Sequence, residues 1–527
     1  MTELALLLLL AAIGHGLSRW TGLPVIPLLI GLGMAFSFSG LAAHPGAEGG
    51  VEDDPLFFVL ELGLTVLVFA SGVELNPQRF RRQRRAVLWV GLLQFTVMGV
   101  VGWAGALALG FAGMPAVYLA FAVSASSTIV VLRQLQVSQQ SFEPHGRMVV
   151  GVLLLQDALT IVTLVALTHL GAGVAPLALG LLYAALMAAA AWLLQWRGAR
   201  WLIERCRSDE EAMLLVVLSV LFVFLGASGL AGLPLVVGAF LAGYGLSSFP
   251  VSGLVGGLLQ SLADFFRAIF FVALGALVVV PQPGAVGVAA VLALLVLVIT
   301  PPLVAAVAEW MGLTSRSAIE SGLLLAQTSE YSLVLGLVGL RFGHIDAEVF
   351  AIVAMMAVAT MTCTPLLARE SVARRLMRLH PLRRRRRLPA LECREHVLVL
   401  GLGSAGMWVL KPLQSAGVPI LVVDDDPIVI AELDKKGVPC LRGDGADEHT
   451  LERIGARHAR LIIASMRRVS DAQKVLAHAK GVPVLARVFE DHEAEAIRRL
   501  GGIPVSNSEA AVEQFMKWFQ AGQKTAA

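Results

Sequence analysis

Long apolar runs, parted by short polar stretches, fill the chain to about Leu367. Thirteen of them are candidate membrane spans: about 3–19, 23–38, 55–72, 86–109, 116–133, 148–168, 176–195, 211–229, 234–249, 265–280, 286–308, 318–340 and 348–368. The first run has no basic flank and no small-residue cleavage site, so it is expected to stay as a helix. Beyond a basic stretch the rhythm changes to short buried strands near 396–400, 419–423, 438–442, 460–464, 482–487 and 503–505, with helices between and one closing helix at 508–520. The pattern predicts a polytopic α-helical membrane domain over 1–368, a linker over 369–392 and an α/β domain over 393–527.

Three runs break the rule that a membrane helix is free of polar groups. The fifth contains Ser124-Ala125-Ser126-Ser127-Thr128, and the twelfth contains Gln327-Thr328-Ser329-Glu330. The sixth carries Gln156-Asp157 near its middle. A carboxylate at that depth costs roughly 2.5–3.5 kcal/mol on insertion scales, so it faces a partner, water or an ion. A plain structural role, Asp157 tying helices together and the hydroxyls bonding between them, is the simpler alternative. Paired interruptions in two halves point instead to a transporter site between inverted repeats, with unwound backbone lining a cavity. The fifth and twelfth runs lie seven spans apart, which sets the two halves in opposite orientation. Asp157, Gln156, Ser126, Ser127, Thr128, Gln327 and Glu330 are therefore the candidate ion-binding residues. Arg267, at the mouth of the tenth run, is a candidate partner for Glu330.

Composition agrees with lipid: 57% of the 527 residues are hydrophobic and 15% charged, where soluble chains carry about 25% charged residues. Arginines cluster after odd-numbered runs, from Arg79 to Arg85 and from Arg197 to Arg207, and again at Arg383–Arg387. By the positive-inside rule the N-terminus is expected outside and the C-terminal domain in the cytoplasm, in a multi-pass protein of the cell membrane. The Arg369–Arg387 stretch reads as a solvated, lipid-facing run, with no aromatics between its charges to suggest a nucleic-acid surface. Cys206, Cys363, Cys393 and Cys440 include no Cys-x-x-Cys pair and are expected to be reduced.

The α/β domain opens with a strand, then Gly401-Leu402-Gly403-Ser404-Ala405-Gly406, then a helix. Glycines allow a tight turn and close approach of backbone to a phosphate at the helix N-terminus. Asp424, at the end of the second strand and 18 residues past Gly406, suits ribose hydroxyls. Gly401, Gly403, Ser404, Ala405, Gly406, Asp424, Asp425 and Asp444 are the candidate nucleotide-binding residues of a Rossmann-type domain. The ligand is expected to be an adenine nucleotide, with AMP, ATP and NAD(H) all open.

The chain resembles the cation–proton antiporter-2 family, and within it the Kef-type potassium–proton antiporters with a C-terminal RCK-N (TrkA-N) domain. The resemblance rests on Phe69-Ala70-Ser71-Gly72-Val73-Glu74-Leu75, Ser126-Ser127-Thr128, Gln156-Asp157, Phe270 to Gly275, Gln327 to Glu330, Asp424-Asp425-Asp426-Pro427 and Gly443 to Asp447. It implies an NhaA-like fold of inverted repeats, a homodimer, and Asp157 alternately holding a proton and a cation. Gln156, neutral where electrogenic relatives carry another residue, implies electroneutral exchange of K⁺ for H⁺. Glutathione control is not expected, because the place of a basic Arg-x-Arg reads Arg487-Val488-Phe489. A ligand-gated K⁺ channel is the alternative; it would want a carbonyl-lined filter that the sequence lacks. An oxidoreductase is disfavoured, since the stretch after the last strand leaves no room for a substrate domain.

Overall fold

The computed structural model describes residues 2–506 apart from 39–54, 76–82, 139, 142, 170–173, 199–200, 202–209, 249–250, 380–394, 403–406 and 416. It divides into two compact units. The first comprises Met1–Gln136, Gly146–Val307 and Ile319–Ala373; the second comprises Val137–His145, Ala308–Ala318 and Arg374–Ala527.

Among the described residues, helices build the first unit. In chain order they are α1 (Thr2–Thr21), α2 (Val25–Phe38), α3 (Pro55–Glu74), α4 (Arg84–Ala108), α5 (Gly113–Ala122), α6 (Thr128–Val137), α7 (Pro144–His169) and α8 (Val174–Leu193). There follow α9 (Glu210–Leu230), α10 (Leu235–Gly245), α11 (Val251–Ala276), α12 (Pro283–Trp310), α13 (Ser315–Leu325), α14 (Glu330–Arg341), α15 (Ala347–Leu367) and α16 (Glu370–Leu379). Among the described residues eight helical stretches are long and apolar enough to cross a membrane, the interrupted stretch Ser315–Arg341 counted as one. The fifth and twelfth runs are each interrupted where the sequence turns polar, giving α5–α6 and α13–α14.

One boundary differs from expectation. The helix matched to the run at 265–280 begins at Val251. Glycines and Ser252 lower the hydropathy of that stretch, yet Val251, Val255 and Leu259 are all buried. Their four-residue spacing places them on one helical face, and that face decides the structure.

Two glycine crossings hold the unit's helices at close range. A Cβ on Gly33 of α2 would lie 2.1 Å from the Val272 carbonyl of α11, and one on Gly275 would lie 2.2 Å from the Ile30 carbonyl. Likewise a Cβ on Gly243 of α10 would lie 2.1 Å from the Phe69 carbonyl of α3, and one on Gly72 would lie 2.3 Å from Phe240. Helices in lipid gain their contact from such close backbone approach. Offset by seven spans, the pair α2–α11 maps onto α10–α3, so one contact occurs twice.

The second unit contains a six-stranded parallel sheet: β1 (Val397–Leu400), β2 (Ile420–Asp424), β3 (Cys440–Arg442), β4 (Leu461–Ala464), β5 (Val484–Val488) and β6 (Ile503–Ser506). Its order is β3-β2-β1-β4-β5-β6, with Val397 opposite both Ile420 and Leu461. Helices α17 (Met407–Ser415), α18 (Pro427–Lys435), α19 (Glu448–Arg453), α20 (Val469–His478) and α21 (Asp491–Arg499) connect the strands. Leu398 and Leu400 enter one apolar cluster, while Val397 and Val399 enter another. Covered on both faces, the strands must be apolar throughout, which is why they read as continuous hydrophobic runs. The strand order is the doubly wound Rossmann order, whose switch point lies between β1 and β4. The closing helix expected at 508–520 lies outside the described residues. Cys363 and Cys440 are free thiols; Cys206 and Cys393 are outside the described residues.

Candidate functional site

The two interruptions in the first unit meet. Helix α5 stops because Ser124 turns its hydroxyl back on the Ala120 carbonyl at 2.7 Å, an alternative to the next helical bond. Helix α14 restarts at the cap Ser329, whose hydroxyl accepts from the Tyr331 amide at 3.1 Å. Across the crossing, the Ser126 hydroxyl donates to the Leu325 carbonyl at 2.7 Å and Gln327 Nε2 donates to the Ser127 carbonyl at 3.3 Å. Ser332 donates to the Ala122 carbonyl at 2.7 Å. Each gap thus satisfies backbone groups freed in the other, as an unsolvated interior requires.

Asp157 lies beside this crossing and is fully buried. Its Oδ2 accepts from Thr128 at 3.0 Å and from Ser71 at 3.2 Å. Gln156 is equally buried; its Oε1 accepts from the Ser126 amide at 3.0 Å. Asp157 Oδ1, Gln327 Oε1 and Glu330 Oε2 have no hydrogen-bond partner among the described residues. Three buried oxygens in this state call for protons or a cation, because an orphaned acceptor in a dry interior is costly. Helix N-termini complement the negative charge, with Thr128 opening α6 and Glu330 standing in the first turn of α14. Arg267 does not ion-pair directly with Glu330: its guanidinium donates to Asp264 at 2.6 Å, three residues back on its own helix. An i, i+3 partner on the same helical face outcompetes a carboxylate elsewhere in the unit.

Ser126, Ser127, Thr128, Gln156, Asp157, Gln327 and Glu330 are all buried in this one unit. Sequence reasoning overlooked three contributors. Ser71 bonds Asp157, Gln94 Nε2 donates to Ser126 Oγ at 2.9 Å, and Thr360 bonds Thr328 at 3.0 Å. Gln94 offered a signal, being a lone amide in an apolar run. A cavity of about 210 Å³, lined by His15, Ile129, Val130, Arg133, Asp264 and Arg267, opens by the first turn of α6.

In the second unit Gly401 adopts φ +71°, and a Cβ there would lie 2.8 Å from the Met466 side chain. Both facts require glycine at the turn after β1. Gly403, Ser404, Ala405 and Gly406 lie outside the described residues. Asp424 ends β2, and its Oδ1 accepts the Asp426 amide at 2.8 Å. Two other expected nucleotide ligands have partners of a different kind. Asp425 Oδ2 accepts from Ser317 at 3.3 Å, and Asp444 Oδ2 accepts from Arg316 at 3.2 Å. Burial and the neighbouring Asp424, Glu143, Asp444 and Asp426 push the Asp425 carboxyl up to about 8. Burial also raises Asp444, against the pull of Arg316. Asp471 is buried too, but Arg316, Lys474 and Arg468 together hold it below the usual carboxylate range. The Arg487 guanidinium stacks over the Phe489 ring at 4.7 Å.

Interrupted helices crossing beside a buried carboxylate, in a chain that also carries a doubly wound nucleotide-type sheet, define a secondary ion transporter. The sequence profile of the transmembrane sodium/hydrogen exchanger matches residues 5–369, and that of the TrkA-N domain matches 397–507. The chain belongs to the sodium/hydrogen exchanger family and has the Kef-type arrangement, a cation/proton antiporter domain followed by TrkA-N. It is 26% identical over 509 residues to the glutathione-regulated potassium-efflux system protein KefC of Cronobacter sakazakii, covering 90% of this chain and 79% of that one. With K(+) efflux antiporter 1, chloroplastic, of Arabidopsis thaliana it shares 29% over 429 residues, 76% of this chain but 35% of that longer protein. The solved sodium proton antiporter MjNhaP1 of Methanocaldococcus jannaschii has the same fold: TM-score 0.56 at 14% identity, covering 71% of this chain and 98% of that one. The protein is a multi-pass membrane cation/proton antiporter and not an enzyme.

Proposed function

We propose that the protein exchanges K⁺ for H⁺ electroneutrally at Asp157, under control of an adenine nucleotide bound by its α/β domain. The observation that carries the reading is the Asp157 carboxylate, with Oδ2 held by Thr128 and Ser71 and Oδ1 unpartnered. A proton and a cation cannot both occupy the same carboxylate oxygens, so the two compete for one site. Gln327 Oε1 and hydroxyls of the crossing supply neutral oxygens to replace water around the ion. The cavity beside α6 is the route by which one aqueous side reaches Thr128. Gln156 is neutral and spends its Oε1 on the Ser126 amide, which supports one titrating group on the exchanging span. Potassium as the cation follows the names of the efflux relatives.

Gly401, Asp424 and the glycine-rich sequence 401–406 hold the nucleotide at the switch point of the sheet. The N-terminus lies outside, the α/β domain lies in the cytoplasm, and the working form is a homodimer. The test uses vesicles with a trapped pH dye, separate additions of K⁺, Na⁺ and Li⁺, and valinomycin to clamp the potential at fixed gradients. Proton movement should follow K⁺ and ignore potential. A steep voltage response would overturn the electroneutral cycle, since a net charge would be driven by about 2.3 kcal/mol per 100 mV.

A further inference from the structure

Two short pieces of chain from between the membrane helices, Val137–His145 and Ala308–Ala318, belong to the second unit. They are held there by ion pairs of opposite sign. The first piece offers an acid: Glu143 takes a two-pronged grip from Arg468, Nε to Oε1 at 3.2 Å and Nη2 to Oε2 at 2.8 Å. Nδ1 of His145 lies 3.3 Å from the same carboxylate. The second piece offers a base: Arg316 Nη1 donates to both oxygens of Asp471 at 3.1 Å and to Asp444 at 3.2 Å. Ser317 adds its bond to Asp425, and a Cβ on Gly312 would lie 3.2 Å from the Arg442 guanidinium. Arg316 and Asp471 are less than a tenth exposed. Forked, desolvated pairs of this kind fix geometry as well as contributing energy.

Where these residues stand along the chain gives the contacts their meaning. Glu143 immediately precedes α7, the helix that carries Asp157. Arg316 is in the first turn of α13, whose last carbonyl, Leu325, accepts from Ser126 at the crossing. Fourteen positions of chain separate Glu143 from Asp157, and nine separate Arg316 from Leu325. We propose that Arg316 and Glu143 are positioning residues for the exchange: through them the α/β domain holds the outer ends of α13 and α7 and acts as a brake on the helices whose inner parts build the site. Asp425 and Asp444 serve this clasp rather than the nucleotide. The proposal rests on exchange at Asp157 but not on nucleotide binding.

Full-length protein in vesicles tests it with Glu143→Gln, Arg468→Gln, their double variant and the charge swap Glu143→Arg with Arg468→Glu. Each single change should raise the maximal exchange rate by about five-fold, the lower end of typical coupling, with the half-saturating cation concentration unchanged. The double should do no more than either single, because one contact is removed twice, and the swap should return the rate to wild type. Backbone hydrogen exchange at 137–145 and 308–318 reads the clasp without transport, and Arg316→Ala should deprotect 308–318. Unchanged rates, additive singles, a swap that restores nothing, or protection at 308–318 indifferent to Arg316→Ala would each overturn the proposal. Failure of the wild type to exchange at all would instead overturn the reading of Asp157, and the hydrogen-exchange result would still decide the clasp.

Discussion

The two interrupted helices are built alike and furnished differently. In the first half, the span after the gap presents Asp157 and Gln156, which bond Thr128 and the Ser126 amide. In the second half, the span after the gap presents Thr360 and Thr364, which bond Thr328 and the Ala326 carbonyl. Each pair bonds a backbone group at its gap, the Ser126 amide in one half and the Thr328 amide and Ala326 carbonyl in the other. Only the first can gain or lose a proton. The scaffold is duplicated, whereas Asp157 has no carboxylate counterpart at Thr360 or Thr364.

The largest expected effect separates the halves outright. Asp157→Asn should reduce cation-dependent proton flux to that of empty vesicles while the protein still folds, whereas Thr360→Val should keep the exchange. Loss of flux in both would make the second half a chemical partner. Next comes Glu330→Gln, expected to lower flux several-fold by removing a buried carboxyl from the first turn of α14; unaltered flux and expression would leave Glu330 a bystander. Smaller is the cost of filling the glycine crossings. Gly33→Val and Gly243→Val occupy matching places in the repeats and should each destabilise the protein by about 1–3 kcal/mol through overpacking, read as a fall in thermal midpoint. A large difference between them would break the correspondence of the halves.

The smallest effect lies in the α/β unit, away from the repeats. Asp425 keeps its proton in the folded unit up to about pH 8, while an unfolded chain releases it near the ordinary aspartate value of 3.8. Between those values the folded form binds more protons, so stability falls as pH rises and levels off above about 8. Asp444, raised by burial, acts in the same sense; Asp471, lowered, contributes steadily across this window. Thermal midpoints of the full-length protein from pH 5 to 8 should decline, and Asp425→Asn should flatten part of that decline. An identical slope in the variant would sink the assignment.

Much of this was legible in the sequence because its signals are local. A hydroxyl cluster inside an apolar run marks a broken helix, and a strand, glycine turn and helix in succession mark a Rossmann edge. The six strands, the two interruptions and the burial of Asp157 all follow from such patterns. What sequence could not supply were partnerships across long separations. Gln94 with Ser126, Ser71 with Asp157, and Thr360 with Thr328 depend on which helices the fold brings together. The partners of Asp425 and Asp444 are of the same kind: nothing local announces Ser317 or Arg316, each more than a hundred residues away.

The paired glycine crossings carry a mechanical implication. At Gly33 with Gly275, and at Gly72 with Gly243, two backbones touch with no room for even a methyl group. Sliding either helix along its partner by a single residue would bring a side chain into a space that admits none. Helices α2 and α11 are thereby locked in register, as are α3 and α10, and α3 also packs against α11. The four travel as one plate, and the strokes of the transport cycle must fall along seams that have side chains to glide on.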